Sequence, residues 1–278
     1  MDNILLATDL GPNSDRAMER ALKLAAESET TLHILHVTNT ADRETSEIEE
    51  TIKAYMKNNK DADKANIEIS VLTNQKPYDE ISAYAADIKT GLIIMGTHAE
   101  PKLSDLFFGT TIEKVLIHSP APILMVKNKP IGPYQTVLSG VDYAPASQRA
   151  IECAISIAPT AAFHLLNAAE DAPVYPSPQM LSVMGITSIS EEDREKHMNT
   201  LIKSLQKNYE AQYEGHALTI RSSLEKADPY YALIKETDKN KYDLLCIGTY
   251  GEPSEKVGAV TDSLMSDPPC DILIASAQ

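Results

Sequence analysis

Two carboxylates occupy matching local settings in this chain. Asp9 follows the apolar run Ile4-Leu5-Leu6-Ala7-Thr8, and Asp142 stands in the corresponding place further on. A carboxylate there can accept a hydrogen bond from an exocyclic amine or a ribose hydroxyl. It can equally bind the N-terminus of the helix that follows, and the sequence leaves both readings open. No second carboxylate or histidine sits beside either aspartate to make it a general base. A second constellation is Gly96-Thr97-His98-Ala99, then nine residues, then Gly109-Thr110-Thr111 at a helix start. A glycine at such a start lets backbone N–H groups approach an anion. The Thr110 hydroxyl can bind a phosphate oxygen or cap the helix, since Thr110-Thr111-Ile112-Glu113 also reads as a capping box. His98 is placed to meet a phosphate or to stand in solvent. Neither G-x4-G-K-[ST] nor G-x-G-x-x-G after the first strand occurs, so this is neither a P-loop nor a dinucleotide fingerprint.

Other reactive side chains point to packing. His33, His36 and His164 fall in strand-like runs and read as satisfied core histidines, while His118, His197 and His216 have no metal-ligand spacing. Cys153, Cys246 and Cys270 form no CxxC and read as reduced thiols, Cys246 as a small buried hydrophobe. No nucleophile elbow or Ser/His/Asp order stands out. No catalytic residue and no metal ligand is assigned, and an efficient enzyme is not expected.

The elements that position these residues come twice. Asp9-Leu10-Gly11-Pro12-Asn13-Ser14-Asp15-Arg16-Ala17 matches Asp142-Tyr143-Ala144-Pro145-Ala146-Ser147-Gln148-Arg149-Ala150 in register. Lys76-Pro77-Tyr78 leads to Leu92-Ile93-Ile94-Met95-Gly96-Thr97 at the same spacing as Asp228-Pro229-Tyr230 to Leu244-Leu245-Cys246-Ile247-Gly248-Thr249. Gly109 to Leu124 matches Gly258 to Leu273. The same motifs recurring in the same order mean repeated structural units. The polar, Pro- and Gly-rich joint at 127–133 predicts domains over 1–130 and 131–278. In the first copy, strands are predicted over 4–8, 32–37, 67–72, 92–95 and 122–126, and helices over 13–28, 44–58, 78–88 and 110–117. Short strands apolar on both faces, alternating with helices, define the fold class: α/β, two doubly wound five-stranded parallel-sheet units in tandem. Ligands of such sheets bind at the C-terminal strand edge where strand order reverses, which is why the residues after the first and fourth strands carry the argument.

Composition excludes several classes. The chain has 278 residues, 43% hydrophobic and 23% charged, with a formal net charge of −15. Two ordinary cores can be buried without staples. A polyanionic surface repels nucleic acid and anionic lipid, so neither is expected as a partner. No apolar run is long enough for a membrane span, and the N-terminus lacks a basic signal region, so the expected location is the cytoplasm.

The motifs resemble those of the universal stress protein family. The resemblance is carried by Ile4-Leu5-Leu6-Ala7-Thr8-Asp9 with Ser14 and Ala17, by Leu35-His36-Val37, and by Leu92 to His98. It continues through Gly109-Thr110 and Pro120-Ala121-Pro122-Ile123-Leu124-Met125-Val126, and it covers nearly the whole chain, once per half. It implies an adenine nucleotide alpha-hydrolase-like fold, paired through the last strand as an internal pseudo-dimer, with a homodimer compatible. Some family members bind ATP through G-x2-G-x9-G-[ST]. By resemblance, Asp9 and Val37 contact adenine or ribose, and Met95, Gly96, His98, Ala99, Gly109, Thr110 and Thr111 surround ribose and phosphates, with Mg²⁺ on the phosphates. Both halves depart from the pattern. Ala99 replaces the second glycine, a change that costs about 1 kcal/mol where a positive φ is needed. In the second half only six residues separate Gly251 from Gly258, and Ala259 replaces the hydroxyl residue. The resemblance therefore implies a stress-response protein that binds ATP or a related adenine nucleotide in its first half and works by binding or regulation. The second half is expected to be structural. A nucleotide-independent interaction scaffold and a slow hydrolase or nucleotidyl-transfer enzyme are the alternatives. The Pro-rich segment 171–190 of the second half reads as a cover over its site, a partner contact or a mobile insertion.

Overall fold

The computed structural model describes residues 3–38, 44–57, 59–97, 111–119, 121–168, 190–215, 217–249 and 257–276. The first half runs β1 (Asn3–Thr8), α1 (Pro12–Ser28), β2 (Thr31–Thr38), α2 (Thr45–Met56), β3 (Asn66–Thr73), α3 (Pro77–Asp87), β4 (Leu92–Gly96), α4 (Thr111–His118) and β5 (Ile123–Val126). The second runs β6 (Thr136–Gly140), α5 (Pro145–Ile157), β7 (Ala162–Ala168), α6 (Glu191–Gln212), β8 (Thr219–Glu225), α7 (Pro229–Lys239), β9 (Leu244–Gly248), α8 (Ala259–Ser266) and β10 (Asp271–Ala275). Four helices, α1, α3, α5 and α7, open on a proline. That residue needs no intrahelical donor there and arrives with φ already set. For this reason α1 and α3 begin one residue ahead of the sequence expectation.

All ten strands form one sheet in the order β3-β2-β1-β4-β5-β10-β9-β6-β7-β8. Pairing is parallel within each half. Strand order reverses between β1 and β4, and again between β6 and β9, so each half has its own switch point. Side chains alternate across the sheet as the pleat requires. Ile4 and Leu6 of β1 enter one apolar layer with α1 and α2, and Leu5 and Ala7 enter the other with α3 and α4. The edge strands differ from the expectation of strands apolar on both faces. β3 and β8 are half exposed and carry polar residues such as Glu68 and Arg221, because an edge strand has a neighbour on one side only. The acidic run at 44–50 lies on α2, which buries only Ile48 and Ile52.

The halves meet edge to edge. β5 and β10 are antiparallel, with Ile272 opposite Met125, Leu273 opposite Leu124 and Ile274 opposite Ile123. Leu124 and Leu273 are repeat equivalents, so the chain pairs with its own copy about a local dyad. Both apolar layers run through this seam, with Leu124 and Leu273 in one and Ile123 and Ile272 in the other.

One polar cluster is built into the seam. Asp271 is 1% exposed, and its Oδ1 accepts the backbone N–H groups of Lys127 and Asn128, each at 2.9 Å. Its Oδ2 accepts the Tyr134 hydroxyl at 2.7 Å and faces Arg20 Nε at 3.6 Å. The Arg20 guanidinium lies 3.9 Å above the Tyr134 ring and donates to Gly132 O at 2.9 Å. Arg16 donates to Lys127 O at 2.7 Å, and Lys129 pairs with Glu19 at 3.6 Å. The Pro- and Gly-rich joint is thus strapped to α1. Burial pushes the Asp271 carboxyl above its ordinary value, opposed by the hydrogen bonds of Asn128, Tyr134 and Lys127 and by the charge of Arg20. Removing one member of such a pair strands the other charge in a dry site. Asp271→Ala should therefore lower unfolding free energy by about 3–5 kcal/mol in urea titrations. A loss under about 1 kcal/mol, the size of an exposed ion pair, would show that strand pairing alone holds the seam.

Candidate functional site

The turn after β1 is drawn by its own side chains. Gly11 N donates to Asp9 Oδ1 at 2.9 Å, and the Ser14 hydroxyl donates to the same oxygen. Leu10, between them, has φ 60. In the second half Ala144 N donates to Asp142 Oδ1 at 2.9 Å, and Tyr143 has φ 63. A left-handed non-glycine residue costs about 1–2 kcal/mol, and both halves hold that strain at the same corner. The carbonyl before each aspartate is also held from the neighbouring strand. His36 Nδ1 lies 2.9 Å from Thr8 O, and Asn167 Nδ2 donates to Val141 O at 2.6 Å. The bond from each aspartate to the helix-leading turn is present in both halves. The corners differ in one respect. Ser14 bonds Asp9, whereas its counterpart Ser147 donates to Ala144 O at 3.0 Å, and both aspartates are exposed.

The remaining first-half site residues are placed as follows. Val37 is the penultimate residue of β2, half-buried, on the sheet face that also carries Met95 of β4. Gly96 closes β4 opposite Val126, and Thr111 opens α4. Asp9, Val37, Met95, Gly96 and Thr111 therefore share the C-terminal end of the sheet around the β1/β4 switch point. His98, Ala99, Gly109 and Thr110 lie outside the described residues, as does 171–189 of the Pro-rich segment.

At the β6/β9 switch point the sheet opens into a cavity of about 210 Å³. Asp142, Ala168, Ile247, Gly248, Gly258 and Ala259 line it. In the sequence repeat these are the counterparts of Asp9, Val37, Met95, Gly96, Gly109 and Thr110. Gly248 has a packing reason as well. A Cβ there would lie 2.4 Å from Ser147 N and 2.7 Å from Ala146 C, so the first turn of α5 rests on bare backbone. Leu166 and Leu233, also in the lining, were not singled out from sequence. Their apolar character gave no signal beyond core.

Sequence reasoning also missed a polar cluster at the outer edge of the second half. His164 Nε2 lies 2.7 Å from Ser223 Oγ, and its Nδ1 lies 2.8 Å from the Tyr242 hydroxyl and 3.1 Å from Glu236 Oε1. The spacing is that of a Ser–His–Glu relay, but the ring is buried and fully engaged. Burial first, then the Arg221 charge, push its pKa down to about 4, which is poorly matched to base catalysis near neutrality. Burial also raises Glu236, but hydrogen bonds from Tyr242 and Asn240 and the charges of His164 and Arg221 leave it below its ordinary value. The first half repeats the theme, with His33 3.4 Å from both Glu68 and the Tyr84 hydroxyl, and Tyr84 2.9 Å from Ser70. These are core histidines, as the strand pattern suggested. All three cysteines are free and buried, with thiols pushed up to about 12 by burial. Among the described residues no group of three His, Cys, Asp or Glu side chains converges on a metal position, and no helix is long and apolar enough to cross a membrane.

Two doubly wound α/β units, each with a strained Asx turn at its switch point and joined edge to edge, define a tandem class of open-sheet α/β protein. The sequence model of the universal stress protein family matches residues 1–127 and again 133–276. The chain belongs to that family, as a tandem member. It is 38% identical over 53 residues to the universal stress protein MJ0577 of Methanocaldococcus jannaschii, a match spanning 19% of this chain and 33% of that curated relative. Over 99% of its length it superposes on 98% of a universal stress protein from Archaeoglobus fulgidus DSM 4304, with TM-score 0.67 and 18% identity. It superposes likewise on 92% of PA1789, a functionally unknown protein from Pseudomonas aeruginosa PAO1, with TM-score 0.66 and 16% identity. These structural likenesses concern the fold.

Two outcomes follow from the geometry. Gly248→Val should destabilise the chain by about 1–3 kcal/mol or more, the ordinary range for overpacking, because backbone and not a movable side chain blocks it. Chemical denaturation reads this, and an unchanged midpoint would contradict the packing. His164 is held neutral with a folded pKa near 4 against an ordinary 6.5. The unfolded chain therefore takes up the proton first, and stability falls as pH drops from 6.5 toward 4, by up to about 3 kcal/mol. The raised Asp271 carboxyl has the opposite sign in an overlapping window. The check is therefore the difference between wild type and His164→Gln, which should lose this slope. Parallel pH profiles would refute it.

Proposed function

We propose that this protein binds ATP or a related adenine nucleotide in its first half and acts by binding or regulation rather than turnover. The observation that carries this reading is the correspondence between halves. Seven of the first-half residues singled out by their motif, Asp9, Val37, Met95, Gly96, Gly109, Thr110 and Thr111, have repeat equivalents that line a ligand-sized cavity in the second half. In this reading Asp9 and Val37 receive the base or ribose, and Met95 and Gly96 border the ribose. Gly109, Thr110 and Thr111 receive phosphate oxygens through backbone N–H groups and hydroxyls at the start of α4, with His98 and Ala99 in the intervening loop. Mg²⁺ would travel on the phosphates with water, as it does where protein supplies few ligands. The cytoplasm is the proposed location, and the two halves act as an internal pseudo-dimer through β5 and β10.

A nucleotide-independent scaffold is the second reading. It is favoured by the engagement of Asp9 Oδ1 with Gly11 and Ser14, which occupies an acceptor a nucleotide would use. Calorimetry with millimolar ATP, and mass spectrometry of the denatured protein for co-purified nucleotide, separate the two. The expected result is saturable binding that Gly109→Val abolishes by blocking backbone approach. Neither heat nor co-purified nucleotide would favour the scaffold, and binding that survives Gly109→Val would place the site elsewhere.

A further inference from the structure

A second cavity lies where the joint between the halves meets α1 and α5. It holds about 250 Å³ and shares no residue with either switch point. Leu24 and Ile157, counterparts in the repeat, both line it. Past them the two helices differ. α1 runs about one turn further, to Ser28, whereas α5 stops at Ile157. The cause is Pro159, since the residue before a proline, here Ala158, is driven out of the helical region. The shortened helix leaves the space open. The inner wall is apolar and fixed. Leu24, Tyr134, Ile157 and Ala158 are buried, and Tyr134 is held by Asp271 through its hydroxyl and by Arg20 on its ring.

The polar groups of the rim are acceptors. Glu27 is the one charged side chain in the lining, and Lys23, outside the lining, pairs with its Oε1 at 3.1 Å. Ser28 Oγ donates to Leu24 O at 2.6 Å and lies 3.1 Å from Thr30 Oγ1. Ser156 Oγ donates to Cys153 O at 2.7 Å. Both hydroxyls have thus already used their protons and offer lone pairs, and among the lining hydroxyls Thr160, exposed, keeps a proton. Pro133 and Pro159 carry no N–H. Neither α1 nor α5 has a basic residue in its last turn, so no side chain there offsets the partial negative charge of a helix C-terminus.

We propose that this cavity binds a primary organic ammonium ion with an apolar tail, of the arylalkylamine class. An ammonium brings donors and no acceptor, the complement of this rim, and its charge meets Glu27 and two helix ends. A carboxylate or phosphate would meet like charge. The tail gains burial against Leu24, Tyr134, Ile157 and Ala158. Size sets its length. An apolar cavity of roughly 150 Å³ holds benzene, so in proportion about 250 Å³ takes roughly ten non-hydrogen atoms, the size of phenethylamine. Clefts at domain junctions are favoured places for ligands. Because both halves line this one, its occupant ties them together, whether or not either corner binds nucleotide.

The test uses the full-length chain at neutral pH with phenethylamine as probe, followed by saturation-transfer NMR and calorimetry. Phenethyl alcohol and phenylacetate serve as its neutral and anionic counterparts. Saturable binding of one phenethylamine per chain is expected at millimolar concentrations, undisturbed by ATP. The alcohol should bind at least ten-fold more weakly and phenylacetate not at all. Ser156→Phe, which fills the cavity, and Glu27→Lys, which reverses the charge at its rim, should each weaken amine binding at least ten-fold. Misfolding of either variant, read by circular dichroism and melting, leaves the other to decide. No saturable binding of the amine, equal binding of the alcohol or of phenylacetate, displacement by ATP, or undiminished binding in a folded variant would each overturn the proposal.

Discussion

The last strand of each half has one edge that its own unit cannot satisfy. β5 and β10 are fully buried strands, and each has a paired neighbour on one side only within its half. Unpaired backbone groups in such a strand cost as much as lost hydrogen bonds, and a long exposed edge invites aggregation. The chain resolves this by pairing the two edges with each other about Leu124 and Leu273. Everything else in the architecture follows from that seam: one sheet in place of two, two continuous apolar layers, and switch points held in fixed relation on either side. The buried Arg20–Asp271–Tyr134 cluster adds a polar lock that only the intact tandem can form, since Arg20 comes from the first half and Asp271 from the second. Neither residue has a like partner in the other copy, where the repeat places Cys153 and Pro122. The dyad is therefore exact in its backbone pairing and broken in its polar chemistry.

The same asymmetry governs the two corners. Reversal of strand order opens a crevice in each half whatever the side chains are. The backbone turn that frames it is common to both, down to the left-handed residue after each aspartate. What differs is the decoration. The first corner keeps hydroxyls and an aspartate held by Ser14, whereas the second has an aspartate free of Ser147 and an apolar wall. A duplicated fold thus supplies one geometry, and substitution at a few positions gives each corner its own side-chain chemistry. Fold-level likeness does not settle that chemistry.

Much of the fold was legible in the linear pattern. Internal repetition, short apolar runs and Pro-led helices place nearly every element of the first half within a residue or two, because strands buried on both faces and amphipathic helices leave unmistakable periodicities. The histidines were readable as core for the same reason, since His33 and His164 fall at inward positions of β2 and β7. The site was legible only in part. Asp9, Val37, Met95, Gly96 and Thr111 follow from the motif and from the rule that strand ends carry ligands. The apolar wall of Leu166 and Leu233 did not, because a residue that lines a cavity and one that fills a core have the same sequence signature.

By itself the sequence determined the duplication, the α/β class and the positions at which chemistry could occur, since these depend on periodicity and spacing along the chain. Tertiary structure decided which edges pair, that Asp9 and Asp142 bind their own turns, that Gly248 is a landing place for α5, and that the second corner stays open. Those outcomes depend on distances between segments far apart in the chain. No local pattern records whether such segments meet to fill a core or leave a cavity.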